Sequence, residues 1–287
     1  MKSIIYKYQN NKFIFKTSAI VINDEGRVLL GIIDSEININ QSSRNALEEK
    51  LKNYLVNYEI QNLAVIYENI YKKDNQNIHE INFIYRVHCN EKTSDNLNWY
   101  PITALQLVVG LDLTKTNHLI KKDVNTSLFK DCEVIGENEK FRLRSCGVII
   151  EDNKVLFSSN EVNDYLYSVG GGVHVLEDTK SACERETREE TGIDYEIDRL
   201  LWVSEQSFKG DNSFEGYDCE ELVFYYLMKP KNSLELNSDS DGRYGKETMK
   251  WIELDKINDY NIFPNTEFWN NLKNIENNIK HIIETRD

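Results

Sequence analysis

Hydrophobic and polar residues alternate in two stretches of the chain that resemble each other. Residues 12–30 read KFIFKTSAIVINDEGRVLL, and residues 140–157 read KFRLRSCGVIIEDNKVLF. Both have the period of two that is typical of a β-strand, followed by a polar turn and a second short apolar run. The pattern predicts a strand, a turn and another strand at each place.

Further matches between the two halves follow in the same order along the chain. YEIQNLAVIYENIYKKDN (58–75) aligns without a gap with YEIDRLLWVSEQSFKGDN (195–212). Three shorter pairs come after it: 79–87 with 220–228, 97–105 with 249–257, and 116–123 with 279–286. A general likeness between any two α/β segments explains this ordered series less well than a duplication does. The series predicts two tandem copies of one α/β unit.

The boundary between the copies is predicted in the polar stretch VNTSLFKDCEVIGEN. We expect an N-terminal unit at residues 1–124, a linker at 125–138 and a C-terminal unit at 139–287. We also expect the units to pack as a pseudo-dimer within a monomeric chain, since an apolar stretch such as 105–113 favours burial over exposure to water.

Composition and charge narrow the possible partners. The 287 residues include 34 basic and 48 acidic ones, a net charge of −14. Nucleic-acid and membrane-surface binding need a basic patch, so we expect neither. The five cysteines are widely spaced, without a C-x-x-C pair, and the first residues lack a signal-peptide pattern. These features favour a cytoplasmic protein.

Residues 167–193, YSVGGGVHVLEDTKSACERETREETGI, combine a glycine loop with an acidic helix. Three consecutive glycines, 170–172, permit close backbone approach. Asp178 or Thr179 can cap the helix that follows, and Gly192 is placed to end it in a left-handed turn.

Glu186, Glu189 and Glu190 share one face of that helix, because residues three and four apart are neighbours on its surface. Their like charges repel. Carboxylates without cysteine or histidine suit a hard cation, Mg²⁺ or Mn²⁺. The alternative is a solvated acidic face. The first copy lacks the glycines and offers only Lys52 with Asn53, or Asn53 with Tyr54, where the second has Glu189 and Glu190. The comparison favours chemistry in the second copy.

The segment resembles the signature of the Nudix hydrolases, in which a glycine is followed by a glutamate and then by R-E-U-x-E-E-x-G-U, where U is aliphatic. Here the pattern comprises Gly171, Glu177 and residues 185–193. Three positions depart from the common pattern: Thr187 replaces an aliphatic residue, Val169 replaces a frequent proline, and Leu176 replaces a frequent glycine.

The resemblance implies an α/β/α sandwich with a mixed sheet, present in two tandem copies. It also implies hydrolysis of a nucleoside diphosphate linked to another moiety, with Mg²⁺ or Mn²⁺. Glu186, Glu189 and Glu190 would be metal ligands, while Glu177 and the Gly171 carbonyl would be auxiliary ligands or supports.

Arg185 would hold this segment together through an ion pair with Glu177. The general base would be one of the acidic-helix glutamates or Glu247, in GKETMKW.

Substrate contacts stay open at this stage. His174 is a candidate phosphate contact. Aromatic candidates for stacking on a base are Tyr165, Tyr167, Trp202, Phe208, Phe214, Tyr217 and Tyr244. A Nudix-like binding module that senses a nucleotide without cutting it is the alternative function, although a pure binder gains little from the complete set of carboxylates.

Overall fold

The computed structural model describes residues 2–30, 33–92, 97–125, 127–160, 164–210, 214–236, 241–242, 245–246, 248–264 and 269–285. Among these residues, every helix is too short or too polar to cross a membrane.

The N-terminal half forms an 8-stranded sheet with one α-helix, α1 (Ser43–Leu51). Its strands pair in the order β10-β6-β7-β2-β3-β9, with β1 and β4 also on β2, and β5 pairs with β8 apart from it. The strands are β1 Ile5–Tyr8, β2 Asn11–Ile22, β3 Arg27–Leu30, β4 Asp34–Glu36, β5 Leu55–Val56, β6 Glu59–Lys73, β7 Gln76–His88, β8 Glu91–Lys92, β9 Asn98–Pro101 and β10 Asn117–Lys122.

The C-terminal half forms a 10-stranded sheet with one complete α-helix, α2 (Thr179–Thr191). The order is β13-β14-β15-β12-β17-β16-β22, with β11 on β12, β20 on β14 and β21 on β15, while β18 and β19 pair separately. The strands are β11 Glu133–Ile135, β12 Glu139–Val148, β13 Ile150–Glu151, β14 Lys154–Ser159, β15 Leu166–Gly172, β16 Ile197–Lys209, β17 Asp218–Met228, β18 Asp241–Gly242, β19 Gly245–Lys246, β20 Thr248–Glu253, β21 Ile262–Phe263 and β22 Lys280–Thr285.

The two sheets are mixed, and four neighbouring strands pair in the same way in each. In the first, β10 runs parallel to β6 and β2 runs parallel to β7, while β6 and β7 are antiparallel. In the second, β22 with β16 and β12 with β17 are parallel, while β16 and β17 are antiparallel. The mixed sheet is therefore confirmed. The full α/β/α sandwich is not confirmed, because the described residues hold one complete α-helix on each sheet, and beyond it only 3₁₀ turns and the helical residues 269–270.

The dipeptide Asp-Asn forms a hairpin turn at two different places in the fold. Asp74 and Asn75 join β6 to β7 with positive φ values of 47° and 63°, and Asp152 and Asn153 join β13 to β14 with φ values of 45° and 60°. Two consecutive residues at positive φ form the hairpin turn that suits twisted antiparallel strands, and Asp and Asn tolerate this conformation better than most residues. The sequence DN thus forms one such turn in each half, at positions that are not matched in the repeat.

A shared hydrophobic core joins the halves. Phe141 of β12 is fully buried, and its ring stacks on Phe13 at 6.0 Å and on Phe15 at 6.3 Å between centroids. The same cluster contains the buried apolar residues of α1 and α2. The two sheets therefore face each other across one core. The segment predicted as a linker contributes to the second sheet, since residues 133–135 pair with β12.

Candidate active site

The acidic helix begins and ends where its sequence predicts. Asp178 is the N-cap, and its Oδ1 accepts a hydrogen bond of 2.9 Å from the Ser181 N–H. Burial favours the neutral acid, but the hydrogen bonds from Ser181 outweigh burial and lower the pKa of Asp178. Gly192 ends the helix at φ 70°, the left-handed conformation that glycine adopts without strain.

The three glycines, predicted as a loop and still called the glycine loop here, form the last residues of strand β15, where they pair with β12 and lie against α2. Gly170 has φ 136°, and a Cβ there would lie 2.4 Å from the Ser145 carbonyl oxygen. A Cβ on Gly171 would lie 2.4 Å from Oε2 of Glu186. The missing side chains therefore let the backbone approach both the neighbouring strand and the acidic stripe.

Arg185 connects the loop to the helix. Its Nε and one terminal nitrogen donate to the two carboxylate oxygens of Glu177, both at 2.8 Å, and the same terminal nitrogen donates to the Gly172 carbonyl at 2.9 Å. Burial disfavours the charge of Arg185, but the hydrogen bonds to Glu177 and the charge of Glu186 outweigh burial and raise its pKa. The ion pair with Glu177 that the resemblance implied is present, in the bidentate form that fixes orientation best.

The three glutamates of the stripe are held in different ways. The second terminal nitrogen of Arg185 donates to Glu186 at 2.6 Å and to Glu189 at 3.2 Å. Glu190 accepts the N–H of Gly170 at 3.2 Å. Glu189 is the most open of the stripe, with 55% of its side chain exposed, against 15% for Glu186. The stripe thus runs from the loop toward solvent.

The electrostatics of the stripe suit a cation. Burial raises the pKa of Glu186, Arg185 counteracts burial, and the charge of Glu189 raises the pKa further. The donors are carboxylate oxygens beside a glycine that leaves space at Glu186, which is the chemistry that Mg²⁺ and Mn²⁺ prefer. Among the described residues, no three His, Cys, Asp or Glu side chains are already arranged to hold a metal ion. Glu186 and Glu189 point to Arg185 and would have to turn to hold an ion.

Leu176, a departure from the common pattern, lies in the left-handed region at φ 66°. A side chain there costs about 1–2 kcal/mol, which explains why glycine is frequent at this position. The Leu176 side chain is 1% exposed and packs in the shared core, which offsets the strain. The turn still presents Glu177, whose Oε2 accepts the His174 N–H at 3.0 Å. Thr187, another departure, is completely buried.

Arg144 of β12 was missed by the sequence reasoning. It donates to the Gly170 carbonyl at 3.1 Å and lies 3.5 Å from the Glu221 carboxylate. Among the described residues its buried Nε has no hydrogen-bond partner. Its positive charge also attracts the carboxylate of Glu190, which accepts the Gly170 N–H. The available signal was the alternation FRLR, which places two arginines on one face of an otherwise apolar strand.

The other candidates fall into separate groups. The His174 ring lies between carboxylates, 3.8 Å from Asp131 and 3.6 Å from Glu177. Trp202 is 3% exposed and belongs to the core. Glu247 and Tyr244 lie outside the described residues.

The remaining aromatic candidates form two clusters. Phe263 lies 5.6 Å from Tyr165 and 5.9 Å from Phe208 between ring centroids, and Tyr167 extends this cluster at 6.3 Å from Tyr165. Phe214 and Tyr217 form a pair at 5.5 Å. These contacts define two aromatic clusters in the C-terminal half.

The N-terminal half lacks the acidic stripe. Helix α1 starts at Ser43 and α2 at Thr179, so the register of their starts puts Asn53 and Tyr54 opposite Glu189 and Glu190. Asn53 and Tyr54 lie beyond the last residue of α1. The first half keeps the frame of the second without its carboxylates.

Comparison with known proteins gives a family for the C-terminal half. Residues 141–271 match the NUDIX domain. Similar solved structures include a MutT NUDIX hydrolase from Burkholderia pseudomallei, with 24% identity over 41% of this chain and 86% of that chain and a TM-score of 0.31. A MutT protein from Methanosarcina mazei Go1 matches at 16% identity over 49% and 99%, with a TM-score of 0.37. An ADP-ribose pyrophosphatase from Streptococcus suis matches at 14% identity over 49% and 98%, with a TM-score of 0.35.

Comparison with curated proteins gave no match. The NUDIX match covers less than half of the chain, and it includes the segment in which the sequence resembles the Nudix signature.

Proposed function

We propose that the C-terminal unit, residues 139–287, hydrolyses the pyrophosphate bond of a nucleoside diphosphate linked to another moiety, with Mg²⁺ or Mn²⁺. One observation carries this proposal: Glu186, Glu189 and Glu190 form a stripe on α2 that Arg185 and the glycine loop hold in place. A solvated acidic helix face needs no such fixed arrangement.

Glu186, Glu189 and Glu190 would hold the cation, with Glu177 and the Gly171 carbonyl as auxiliary ligands or supports. The cation, when bound, neutralises charge on the pyrophosphate oxygens and makes water a better nucleophile. Arg185 keeps Glu177 beside the loop, and this fixed geometry lowers the reorganisation that the reaction requires.

A carboxylate has to accept the proton of the attacking water. Glu189 is the most exposed of the stripe, while Glu190 is tied to the Gly170 N–H, so the two differ in their freedom to act as a base. Glu247 stays a candidate from the sequence. Arg144, beside Gly170, is suited to contact a phosphate oxygen, because a guanidinium offers several donors in one plane.

A turnover assay over nucleoside triphosphates, ADP-ribose, dinucleoside polyphosphates and sugar nucleotides tests the proposal. Released phosphate is measured with Mg²⁺ or Mn²⁺, with and without added phosphatase. The double variant Glu189→Gln, Glu190→Gln should lose hydrolysis and also lose stabilisation by the metal, since an ion bound only to the folded state stabilises it by about 2.7 kcal/mol at 100 times its Kd.

The control is Glu184→Gln, which removes one negative charge from α2 at a position outside the stripe, as each of the single variants Glu189→Gln and Glu190→Gln does within it. It should retain turnover. Residues 1–124 alone should show no metal-dependent hydrolysis. Turnover that survives in the double variant would refute the site. Metal and nucleotide binding without hydrolysis in the wild type would refute catalysis and favour a binding module.

A further inference from the structure

The start of the acidic helix is held by a carboxylate from the other half of the chain. Glu68 of β6 is completely buried. The Thr179 N–H donates to both of its oxygens, at 2.9 and 3.2 Å, and the Thr179 hydroxyl donates to Oε2 at 2.6 Å. Thr179 is the first residue of α2, where backbone N–H groups lack partners within the helix and favour a negative charge.

The reciprocal contact, from the C-terminal half to the N-terminal half, is found at the start of α1. Glu205 of β16 is 3% exposed, and its Oε2 accepts the Ser43 N–H at 2.6 Å. The Ser43 hydroxyl donates to its other oxygen. Glu68 and Glu205 are matched positions of the repeat, so each half supplies the same residue to the helix of the other.

A tyrosine contact beside each carboxylate repeats as well. The Tyr226 hydroxyl lies 2.8 Å from the Thr179 hydroxyl, and the Tyr85 hydroxyl lies 2.7 Å from that of Ser43. These contacts relate the two halves by an approximate twofold symmetry.

A histidine of the last strand accompanies each carboxylate. His118 lies 4.0 Å from Glu68, and His281 lies 2.7 Å from Glu205. The symmetry therefore extends to matched residues of β10 and β22. It does not extend to β7 and β17, because His79 lies 2.9 Å from Glu68, whereas the matched residue beside Glu205 is Glu220.

The two helices also differ in the residues that follow their first turns. Helix α2 carries Glu186, Glu189 and Glu190, whereas α1 has no such stripe. The N-terminal half makes one more contact with the start of α2, an ion pair of 3.0 Å between Lys122 and the N-cap Asp178. Of the two helix starts held in this way, only that of α2 therefore belongs to a helix with the acidic stripe.

We propose that Glu68 is a positioning residue for the hydrolase, acting on the C-terminal site through α2; this rests on the proposed function. Glu186 is seven residues from Thr179, about 10 Å along the helix at about 1.5 Å per residue. A helix is stiff over this length, so the position of its first turn sets the position of the stripe. The N-terminal half is then part of the catalytic apparatus without touching the substrate.

The matched pair Glu68→Ala and Glu205→Ala tests this in the full chain. Each variant removes a buried carboxylate from one helix start of the same interface. Glu68→Ala should cost more stability than Glu205→Ala, because it leaves His79 without its partner at 2.9 Å, whereas Glu205→Ala removes the repulsion from Glu220. The two kcat values are therefore compared under conditions in which both variants are folded. In Glu68→Ala, kcat should fall by about 10- to 100-fold, because a displacement near 1 Å costs up to about 100-fold. The Mg²⁺ concentration for half-maximal rate should rise while KM changes little. Glu205→Ala should keep kcat within about threefold of wild type.

The variants Glu68→Gln and Glu205→Gln keep the side-chain volume and one acceptor oxygen, and they decide the question if the alanine variants do not fold. Glu68→Gln should recover part of the kcat lost in Glu68→Ala. Hydrogen exchange should speed up at the start of α2 in the Glu68 variants and at the start of α1 in the Glu205 variants. Equal losses of kcat in the two series, or no loss in the Glu68 series, would overturn the proposal. A wild type that hydrolyses nothing would refute the proposed function instead, and the exchange data would still show whether Glu68 holds the helix.

Discussion

Replacing Gly171 by alanine should lower activity at the candidate site while leaving the fold intact. The new Cβ would lie 2.4 Å from Oε2 and 2.6 Å from Cδ of Glu186, where ordinary contacts begin at 3.4 Å. The obstacle is the end of a flexible side chain, so the carboxylate can move by about 1 Å at the cost of an off-rotamer side chain, about 0.5–1.5 kcal/mol. The fold should therefore tolerate the substitution.

The same displacement should be severe for activity. Moving a ligand by about 1 Å out of its productive position costs up to about 100-fold in rate. We expect Gly171→Ala to lose about two orders of magnitude in metal-dependent kcat, with the free energy of unfolding lowered by at most about 1.5 kcal/mol. Steady-state kinetics at saturating Mg²⁺ and urea unfolding measure the two quantities.

Gly170→Ala is the matched comparison. Its Cβ would lie 2.4 Å from the Ser145 carbonyl oxygen and 2.6 Å from the Cys146 Cα, both backbone atoms, at a φ of 136°. Overpacking of about 1–3 kcal/mol adds to backbone strain of about 1–3 kcal/mol, so this variant should lose stability first. Wild-type kcat in Gly171→Ala, or equal destabilisation of the two variants, would refute the reasoning.

Three further predictions concern the core and the interface. Burial and the charge of Glu205 raise the pKa of Glu220 well above its ordinary value, so the folded state keeps a proton that the unfolded state loses above pH 4.5. The free energy of unfolding should then fall with rising pH by up to about 1.4 kcal/mol per unit. Urea unfolding at pH 5 and pH 8 should show that Glu220→Gln removes this fall. An unchanged pH dependence in Glu220→Gln would contradict the assignment. Phe141→Ala should cost about 3–5 kcal/mol and keep one calorimetric transition for both halves, whereas a separate shift of the C-terminal half would contradict a shared core. Residues 139–287 alone should self-associate in sedimentation, because their inner face loses its cover; a monomeric, fully active fragment would contradict this.

Local patterns made much of the site predictable. The N-cap at Asp178, the end of the helix at Gly192 and the common face of the glutamates depend on spacings of a few residues, which the sequence displays directly. The pairing of Arg185 with Glu177 followed from the family resemblance, and the structure contains it. The repeat predicted the matching order of strands because the same alternation of buried and exposed positions occurs twice.

Contacts between distant residues were less predictable. Glu68 and Thr179 are separated by 111 positions, and the contact depends on how two sheets meet. An interface predicted as apolar contains buried carboxylates and histidines, because each helix start leaves N–H groups that need acceptors. A signal was present, since a glutamate occurs in an apolar strand at the same place in both copies. From the sequence alone such a residue is predicted to be exposed, because the sheet that buries it belongs to the other half of the chain.

The shared core also determines how the association of the two halves depends on protein concentration. In an association of two separate chains, the fraction assembled falls as the protein is diluted. Here the two halves belong to one polypeptide, so their effective concentration is set by the short connection between β10 and β11 and does not depend on the amount of protein. Any specific activity should therefore stay constant from micromolar to picomolar protein.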